Sequence, residues 1–288
     1  MRIDLHTHSS ASDGTDPPAE VMRRARAAGV DVVALTDHDT VAGHREARAA
    51  LPPGLTLVPG MELSCLQDGR SLHILAYLFD PAHPELAAEC QRIREDRLRR
   101  AEEMVARLRE LGAPVSWAQV QAIAAGAVVG RPHLARALTA AGVVEEPAQA
   151  FSPEWIGEGG RAYVGRYALE PVRAIALIRA AGGVAVLAHP RAGRGDWRVS
   201  DDIIGRLAAA GLAGVEVQHP DQDYAERERL RGLAEGLGLV ASGGSDDHGS
   251  LTGHRIGCDT IAPESYERLV AQATAAAPVH GGPDARQA

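Results

Sequence analysis

Short apolar runs alternate with helical stretches along most of the chain. The run Arg2 to Leu5 precedes a stretch that Pro17 and Pro18 open and Gly29 closes, as expected for a helix that begins at proline and ends at glycine. The run Asp31 to Thr36 is apolar through its middle, which predicts a strand buried on both faces. Further strands are predicted at residues 55–58, 61–66, 72–78, 184–188, 214–217 and 239–241, and helices near residues 171–181, 201–210 and 222–236. This order predicts an α/β protein with a largely parallel sheet or barrel.

A helical stretch interrupts the alternation between residues 84 and 165. Its longest predicted helix covers residues 92–110, where oppositely charged side chains four positions apart indicate a solvated, salt-bridged face and not a nucleic-acid patch. We therefore expect three parts: a barrel formed by residues 1–83 and 166–278, a small helical insertion subdomain at residues 84–165, and a flexible tail at residues 279–288.

The composition restricts the possible chemistry. Hydrophobic residues make up 45% and charged residues 24%, which is typical of a globular protein and excludes a disordered or fibrous chain. The net charge of −8 argues against binding of long nucleic acid to a basic surface, although small or short anionic ligands remain possible. All 30 Lys+Arg residues are arginine. Without lysine, a Schiff base, a lysine general base and a lysine-dependent phosphate loop are excluded.

The cysteines and the apolar segments bear on the cellular compartment. Cys65, Cys90 and Cys258 are far apart and form no C-x-x-C motif, so neither a disulfide framework nor a thiolate zinc site is expected. The first residues lack the apolar stretch of a signal peptide, and no run reaches the roughly 20 apolar residues of a membrane span. These features predict a cytoplasmic protein without a membrane partner.

Histidine and carboxylate side chains occur at the ends of most predicted strands. The first strand ends in His6-Thr7-His8. Residues two apart on an extended chain point to one side, with their Cα atoms roughly 6.6 Å apart. Other strand ends carry His38, His189 and the Asp246-x-His248 motif. Each residue alone could be a helix cap, a turn residue or an ordinary polar strand end. The carboxyl ends of strands meet at one mouth of an α/β barrel, however, so these residues are expected to converge.

Three further side chains point to the same site. Glu62 and His73 lie within otherwise apolar predicted strands, where burial is costly unless they pair or bind a metal ion. Asp13 lies in the short loop Ser12-Asp13-Gly14, which could fold over the site. A mixed set of nitrogen and carboxylate ligands without thiolate suits Mn²⁺, Fe²⁺ or Zn²⁺. Nine candidates exceed the needs of one ion, so two or three metal ions are expected.

Together, these segments resemble the polymerase and histidinol phosphatase (PHP) family. The resemblance is carried by His6-Thr7-His8, Asp13, Thr36-Asp37-His38-Asp39, Glu62, His73, Ala188-His189-Pro190 and Asp246-x-His248. It spans nearly the whole chain and implies a distorted (β/α)7 barrel with two or three divalent metal ions. The metal ligands that it implies are His6, His8, Asp13, His38, Glu62, His73, His189, Asp246 and His248.

The helical insertion and the segment Gly130-Arg131-Pro132-His133 resemble one branch of this family, which includes 3′,5′-nucleoside bisphosphate phosphatases and a 5′ to 3′ exoribonuclease. The resemblance implies that Arg131 and His133 bind the substrate phosphate, for which the planar fork of arginine is well suited. A helix cap next to a surface arginine is the structural alternative. Weaker substrate-binding candidates are Arg166, Arg191 and Arg194. The histidines expected outside the site are His44, His83, His219, His254 and His280.

The resemblance implies a metal-dependent phosphoesterase acting on a nucleotide or short oligonucleotide, such as a phosphatase that removes the 3′-phosphate of adenosine 3′,5′-bisphosphate. The expected attacking group is a metal-bound hydroxide, because coordination lowers the pKa of water toward neutrality, and no single general acid is assigned. Asp37 and Asp39 flank His38 and are expected to orient ligand imidazoles.

Three other functions remain open from the sequence. A histidinol-phosphatase-type monoesterase would use the same metal ions on a different phosphate ester. A non-catalytic metal-binding or polymerase-associated module would retain the ligands without turnover. An amide or lactone hydrolase could also use a binuclear centre, although it would gain little from an arginine that binds phosphate.

Overall fold

Seven strands form a barrel in the computed structural model, which describes residues 1–126, 129–192 and 198–282. The strands follow one another around the sheet in chain order. The barrel closes where the Leu5 N–H donates to the Gly243 carbonyl at 3.3 Å and Thr7 pairs with Asp247. The strands are β1 (Ile3–Asp4), β2 (Val32–Leu35), β3 (Thr56–Gln67), β4 (Arg70–Tyr77), β5 (Val184–Leu187), β6 (Gly214–Gln218) and β7 (Val240–Gly243). The predicted distorted (β/α)7 barrel is confirmed.

The distortion comes from β4, which runs antiparallel to both β3 and β5, whereas the remaining neighbours are parallel. Asp68 and Gly69 make the β3–β4 turn with φ of 51° and 76°, as a two-residue hairpin requires. The predicted break between residues 58 and 61 is wrong, because β3 is continuous. Pro59 pairs with β2 and Gly60 with β4, so the residue without an N–H donor lies where the strand changes partner.

Helices follow most of the strands. They are α1 (Pro18–Ala27), α2 (His44–Ala49), α3 (Pro84–Glu110), α4 (Trp117–Ala124), α5 (Arg131–Ala140), α6 (Pro171–Ala180), α7 (Asp201–Ala209), α8 (Tyr224–Gly236) and α9 (Pro263–Val270). Short 3₁₀ helices cover Pro147–Phe151 and Gly249–Leu251. Proline opens α1 as the sequence pattern predicts. No helix in the described ranges combines the length and apolar character needed to cross a bilayer.

The chain divides into two compact units, one formed by residues 1–90 and 169–288 and the other by residues 91–168. These divisions fall a few residues after the expected ones at 84 and 165. At the first division, between residues 90 and 91, α3 continues without a break. The sequence pattern therefore marks the residue where this helix starts and not the residue where the unit changes. We refer below to the barrel unit and the helical unit.

Two apolar clusters in the barrel unit show how the sheet is buried. Val32 and Ala34 of β2 belong to a cluster shared with other barrel strands, whereas Val33 and Leu35 belong to a second cluster shared with α1 and α2. Successive side chains of a strand point to opposite faces, so β2 is buried on both. The helical unit has its own apolar cluster, which includes Leu108, Leu134 and Leu138.

The expected flexible tail begins instead with a short strand, β8 (Val279–His280), which pairs antiparallel with β3. The Gly281 N–H also donates to the Leu55 carbonyl at 2.9 Å. This contact links positions more than two hundred residues apart, which local sequence patterns do not reveal. The rest of the predicted tail, residues 283–288, lies outside the described part of the chain.

Replacing Tyr77 by phenylalanine should destabilise the barrel unit. The buried Tyr77 hydroxyl donates to the Leu5 carbonyl at 2.7 Å and so ties β4 to the end of β1. Phenylalanine would leave this buried carbonyl without its donor, so we expect the free energy of unfolding to fall by about 1–3 kcal/mol. Urea unfolding of the two proteins measures the difference, and an unchanged midpoint would contradict the assigned role of the hydroxyl.

Candidate metal centre

The predicted ligands His6 and His8 extend from the end of β1 toward one side of the chain. Between them, the Thr7 hydroxyl donates to the Ala34 carbonyl at 2.6 Å, and the Thr7 N–H donates to the Thr36 hydroxyl at 3.2 Å. These bonds fix the backbone of β1 against β2. Both imidazoles are consequently fully buried on the side of the chain opposite Thr7.

Four side chains from different parts of the barrel unit form the first group: His6, His8, Glu62 and Asp246. Nε2 of His6 lies 3.1 Å from Nε2 of His8, and each nitrogen lies between 3.1 and 3.3 Å from Glu62 Oε2 and Asp246 Oδ1. Four ligands around a tetrahedral cation at about 2.0–2.2 Å are separated by about 3.3–3.6 Å. The donor atoms of the first group therefore have nearly the separations that one metal ion requires.

Two more groups share residues with the first. The second group is His8, Asp13, His38 and His248, and the third group is His38, Glu62 and His73; within each group the donor atoms lie within 4.8 Å of one another. Nε2 of His189 lies 3.0 Å from Glu62 Oε1. The structure thus brings all nine predicted ligand residues into one cluster.

Buried carboxylates give the cluster its negative charge. Burial alone would raise the pKa of Glu62, but the surrounding imidazoles of His38, His73 and His6 lower it well below its usual value. The pKa of Asp246 follows the same course: burial raises it, and His6, His248 and neighbouring imidazoles more than reverse the rise. Both carboxylates therefore remain ionised in the barrel.

The protonation of the imidazoles indicates whether the cluster can accommodate a cation. Burial lowers the pKa of His8, but hydrogen bonds to Asp246 and Glu62 outweigh it and raise the pKa to about 10. The carboxylates around His8 therefore stabilise positive charge at this position. The Nδ1 atom of His8 is buried and lacks a hydrogen-bond partner within the described ranges. A divalent cation can supply this positive charge in place of a proton, and an imidazole that gives up its proton offers the cation a nitrogen lone pair, so these residues fit metal ions.

Unusual backbone geometry recurs at the site. His189, Asp246 and Asp39 have φ of 25°, 47° and 55°, in the left-handed region that residues other than glycine seldom adopt. Two of the three are predicted ligands, and the third follows His38. Such conformations are costly and persist where surrounding contacts hold them, which is common at functional sites.

Glu216 is a residue of the site that the sequence analysis did not identify. It lies on β6, is completely buried, and faces His6 Nδ1 at 3.1 and 3.3 Å with its two carboxylate oxygens. Its Oε2 also accepts the His189 N–H at 2.8 Å. Glu216 therefore holds the ring of one predicted ligand and the strained backbone of another. Its position in an otherwise apolar strand is the same signal that identified Glu62.

His219 matches no ligand position and belongs to none of the three groups among the described residues, but it lies next to a predicted ligand. The side chain is only 1% exposed, and its Nε2 lies 3.3 Å from Asp246 Oδ2. It follows β6 directly, so the strand-end rule that selected His189 applies to it equally. By contrast, Nε2 of His44 donates to the Gly60 carbonyl at 2.8 Å, which is a structural contact.

Asp37 and Asp39 support loops. The two carboxylate oxygens of Asp37 accept the Ser9 N–H at 2.8 Å and the Ser9 and Ser12 hydroxyls, both at 2.7 Å. Asp39 accepts the N–H and the hydroxyl of Ser64 at 2.7 and 2.8 Å. These bonds brace segments next to His8, Asp13 and Glu62. Glu216, and not Asp37, is the carboxylate outside the three groups that holds the imidazole of a predicted ligand in the hydrogen bonds of the described residues.

Replacing Glu216 by alanine should lower the metal affinity of the protein by about 10–100-fold, because His6 Nδ1 and the His189 N–H would lose their shared acceptor. Glutamine keeps an acceptor oxygen and should cause a smaller loss. Competition with a chromophoric chelator measures the Zn²⁺ affinity of the stripped proteins. Tyr77→Phe is the control for a general loss of packing, and equal affinities of Glu216→Ala and this control would refute the role.

The weaker arginine candidates differ in their surroundings. Arg191 is 6% exposed and is held by the Val199 carbonyl and the Asp201 carboxylate, so its guanidinium has protein partners. Arg166 lies in the helical unit. Arg194 lies outside the described residues.

Arg131 and His133 begin α5 in the helical unit. Nδ1 of the buried His133 accepts the Gly130 N–H at 3.0 Å and so caps the helix. The guanidinium of Arg131 lies over the rings of Phe151 and Tyr163, at 5.6 and 5.8 Å from their centroids. The structural alternative thus describes His133 well, whereas the role of Arg131 stays a prediction.

Comparison with known proteins gives the chain relatives along most of its length. The PHP domain family matches residues 4–92. A 5′-3′ exoribonuclease from Haemophilus influenzae is 38% identical over 248 residues, which cover 86% of this chain and 90% of the relative. A 3′,5′-nucleoside bisphosphate phosphatase from Chromobacterium violaceum is 35% identical over 266 residues, covering 88% of this chain and 89% of the relative.

A solved structure supports the same relationship. A protein from Bifidobacterium adolescentis, described as a metal-dependent phosphoesterase, matches 94% of this chain and 96% of its own, with a TM-score of 0.87 and 33% sequence identity. Fold and sequence therefore agree over nearly the full length, beyond the segment that the domain family matches. On this agreement, the chain belongs to the PHP family.

Proposed function

We propose that this chain, a metal-dependent hydrolase of phosphate esters, acts on nucleotides. Its proposed reaction is removal of a terminal phosphate, such as the 3′-phosphate of a nucleoside 3′,5′-bisphosphate, with 5′ to 3′ hydrolysis of short oligonucleotides as a related activity. The observation that carries this proposal is the linkage of three ligand groups by shared residues: His8 joins the first and second groups, Glu62 the first and third, and His38 the second and third.

The linked groups suit two or three closely spaced divalent ions, with Mn²⁺, Fe²⁺ and Zn²⁺ as the candidates for this set of donors. Bound there, the ions would lower the pKa of a coordinated water and neutralise charge on the phosphoryl oxygens. The chain itself holds the donors: Glu62 faces five imidazoles, and Glu216 fixes His6 and His189. No serine or cysteine nucleophile is required.

Substrate recognition is assigned to the helical unit in this proposal. Arg131 would bind a phosphate group, because its planar fork matches two phosphate oxygens and it is not held by a carboxylate in the hydrogen bonds of the described residues. His133 would contribute by capping the helix that carries Arg131.

The substrate and the location follow from the same features. We propose a small phosphorylated nucleotide or short oligonucleotide as partner, since the relatives named above are an exoribonuclease and a nucleoside bisphosphate phosphatase. We place the protein in the cytoplasm, because no disulfide joins any of its three cysteines in the part of the chain that the structure describes, as expected in a reducing compartment.

A substrate panel tests the proposed function. Protein stripped of metal and reloaded with Mn²⁺ is incubated with nucleoside 3′,5′-bisphosphates, nucleoside monophosphates, short RNA and histidinol phosphate, and released phosphate and nucleotide are quantified. We expect metal-dependent release from nucleotide substrates, with the position of cleavage separating phosphatase from exonuclease activity. Turnover of histidinol phosphate alone, or of phosphate-free esters or amides alone, would overturn the proposal.

A further inference from the structure

Two side chains that are not predicted ligands reach the same oxygen of Asp246. Oδ1 of this carboxylate lies 3.3 Å from His6 Nε2 and 3.2 Å from His8 Nε2, within the first group. Oδ2 lies 3.3 Å from Nε2 of His219 and 3.7 Å from Nη2 of Arg255. The two oxygens of Asp246 therefore have separate surroundings, one next to predicted ligands and the other next to two nitrogen donors.

The hydrogen bonds of His219 identify it as a donor to Asp246. Its Nδ1 accepts the Asp221 N–H at 3.1 Å. An imidazole that accepts a hydrogen bond at one nitrogen carries its proton on the other, so Nε2 of His219 donates to Asp246 Oδ2. A protonated nitrogen has no lone pair to offer to a metal ion. His219 therefore differs in its chemistry from the predicted ligand histidines.

Arg255 holds Asp246 at the backbone as well as at the side chain. Its Nη2 donates to the Asp246 carbonyl at 3.1 Å, in addition to the ion pair with Oδ2. Asp246 is one of the residues with left-handed backbone geometry, at φ of 47°. Arg255 is itself fixed by its N–H, which donates to Asp247 Oδ1 at 2.7 Å. The guanidinium therefore restrains a strained residue at two points.

Asp221 closes these contacts into a ring. Its N–H donates to His219 Nδ1, and its Oδ1 lies 3.5 Å from Arg255 Nη1. His219 and Asp221 follow β6, whereas Asp246 and Arg255 follow β7, so the ring joins the ends of neighbouring strands. The backbone of His219 is held separately, because its carbonyl accepts the Gln222 N–H at 3.0 Å. The His219 side chain can therefore be changed while this backbone contact remains.

We propose that His219 and Arg255 are positioning residues, which hold Asp246 so that only its Oδ1 faces the first group. A carboxylate binds a divalent ion through one oxygen or through both. Two donors on Oδ2 favour binding through Oδ1 alone, and the charge of Arg255 balances the negative charge on the outer oxygen. The inference deepens the proposed function and rests on its metal centre, because it takes Asp246 as a ligand.

Metal affinity tests the two residues first. His219→Asn keeps an acceptor near the position of Nδ1 but has no donor near that of Nε2, whereas His219→Gln keeps the donor. Zn²⁺ competition with chromophoric chelators on stripped protein should show about tenfold weaker binding in His219→Asn and in Arg255→Met, as expected for residues that support a ligand. His219→Gln and Arg255→Lys should recover part of this loss, since they keep the donor and the charge.

His44→Asn is the matched control for the loss of an imidazole hydrogen bond. Nε2 of His44 donates to the Gly60 carbonyl and not to a predicted ligand. Circular dichroism and thermal unfolding verify that each variant folds, and Arg255→Met carries the test alone if His219→Asn does not fold. Zn²⁺ affinities of His219→Asn and Arg255→Met equal to that of the control would overturn the proposal.

A double-mutant cycle then determines whether His219 acts through Asp246. In the Asp246→Ala background, His219→Asn should change the Zn²⁺ affinity by less than about twofold, because the oxygen that His219 holds is absent. His219 also packs against the ring of His189, with the centroids 5.2 Å apart. A role through this ring or through general packing would persist in the Asp246→Ala background. A further loss of about tenfold in the double variant would therefore overturn the assignment.

Co²⁺ provides a second readout, which decides the matter if Asp246→Ala binds no Zn²⁺. The visible absorption of bound Co²⁺ weakens as its coordination number rises. Without donors on Oδ2, Asp246 is free to bind through both oxygens, so the absorption per bound Co²⁺ should fall in His219→Asn and Arg255→Met and return in His219→Gln. Unchanged spectra in both His219→Asn and Arg255→Met would overturn the proposal.

The proposed function and this inference fail separately. None of the affinities and spectra requires a substrate. If wild type binds metal ions but hydrolyses no nucleotide, the proposed function fails, while the variants still decide the roles of His219 and Arg255. If wild type binds no divalent ion, the ligand assignment of Asp246 falls and this inference falls with it.

Discussion

Replacing Glu62 by glutamine is expected to reduce phosphoester hydrolysis on the order of 10³-fold in kcat. Glu62 is 1% exposed, and its Oε2 lies between 3.1 and 3.3 Å from nitrogens of His6, His8 and His38. Its Oε1 lies 2.7 Å from His73 and 3.0 Å from His189. Glutamine keeps the volume but removes the charge and turns an NH₂ donor toward imidazoles that must offer lone pairs. The two ligand groups that Glu62 links would therefore lose their common member.

The measurements are phosphate release and metal content per protein after reloading and desalting. Both should fall together in Glu62→Gln, while circular dichroism should show an intact barrel. Glu85→Gln serves as the control, since Glu85 has a side chain 63% exposed and pairs only with Arg173 among the ion pairs of the described residues. A Glu62→Gln protein with wild-type metal content and activity within about twofold would refute the ligand assignment.

The sequence predicts the candidate ligands best where the fold itself brings distant residues together. His6, His38, His189 and Asp246 lie far apart along the chain, but each follows a strand whose carboxyl end reaches the same mouth of the barrel. The apolar runs identify those strands without any further information. Convergence of these residues therefore follows from the topology alone.

Glu216 and His219 lie at the site and carry sequence signals of the same kind as the predicted ligands. Glu216 is a buried carboxylate between two valines of a strand, as Glu62 is a carboxylate within a mostly apolar strand, and His219 follows a strand end, as His189 does. Neither residue matches a ligand position of the family pattern, so the pattern does not identify them as residues of the site. Their roles become visible only through distances, 3.1 Å to His6 and 3.3 Å to Asp246.

The local sequence predicts the antiparallel direction of β4, but it does not predict where β8 pairs. Asp68-Gly69 is a strong two-residue hairpin sequence, and it predicts an antiparallel pair between the strands on either side. The pairing of Val279 with Leu57 depends on how the chain returns after α9. Only the assembled barrel shows that an open edge of β3 is available there.

Replacing His38 by alanine should reduce phosphate release by about 10²–10³-fold and leave the fold intact. His38 joins the second and third groups: its Nδ1 lies 3.2 Å from Glu62 Oε2, and its Nε2 lies 3.7 Å from Asp13 Oδ2. Burial lowers the pKa of His38 to about 3, so the ring is neutral at working pH and needs no deprotonation to bind a metal ion. Its removal would therefore take a ready ligand from two groups at once.

His254→Ala is the matched control for this change. His254 lies in the same barrel unit and pairs with Asp16 at 3.4 Å, but it belongs to none of the three groups among the described residues. Steady-state phosphate release with added Mn²⁺ should be near wild type for His254→Ala and nearly absent for His38→Ala, with thermal midpoints showing that both proteins fold. The assay is then repeated over a series of Mn²⁺ concentrations. If the activity of His38→Ala partly recovers as the Mn²⁺ concentration rises, its defect lies in metal affinity. Full activity of His38→Ala at limiting Mn²⁺ would contradict a shared metal centre, since loss of a ligand common to two groups must weaken metal binding.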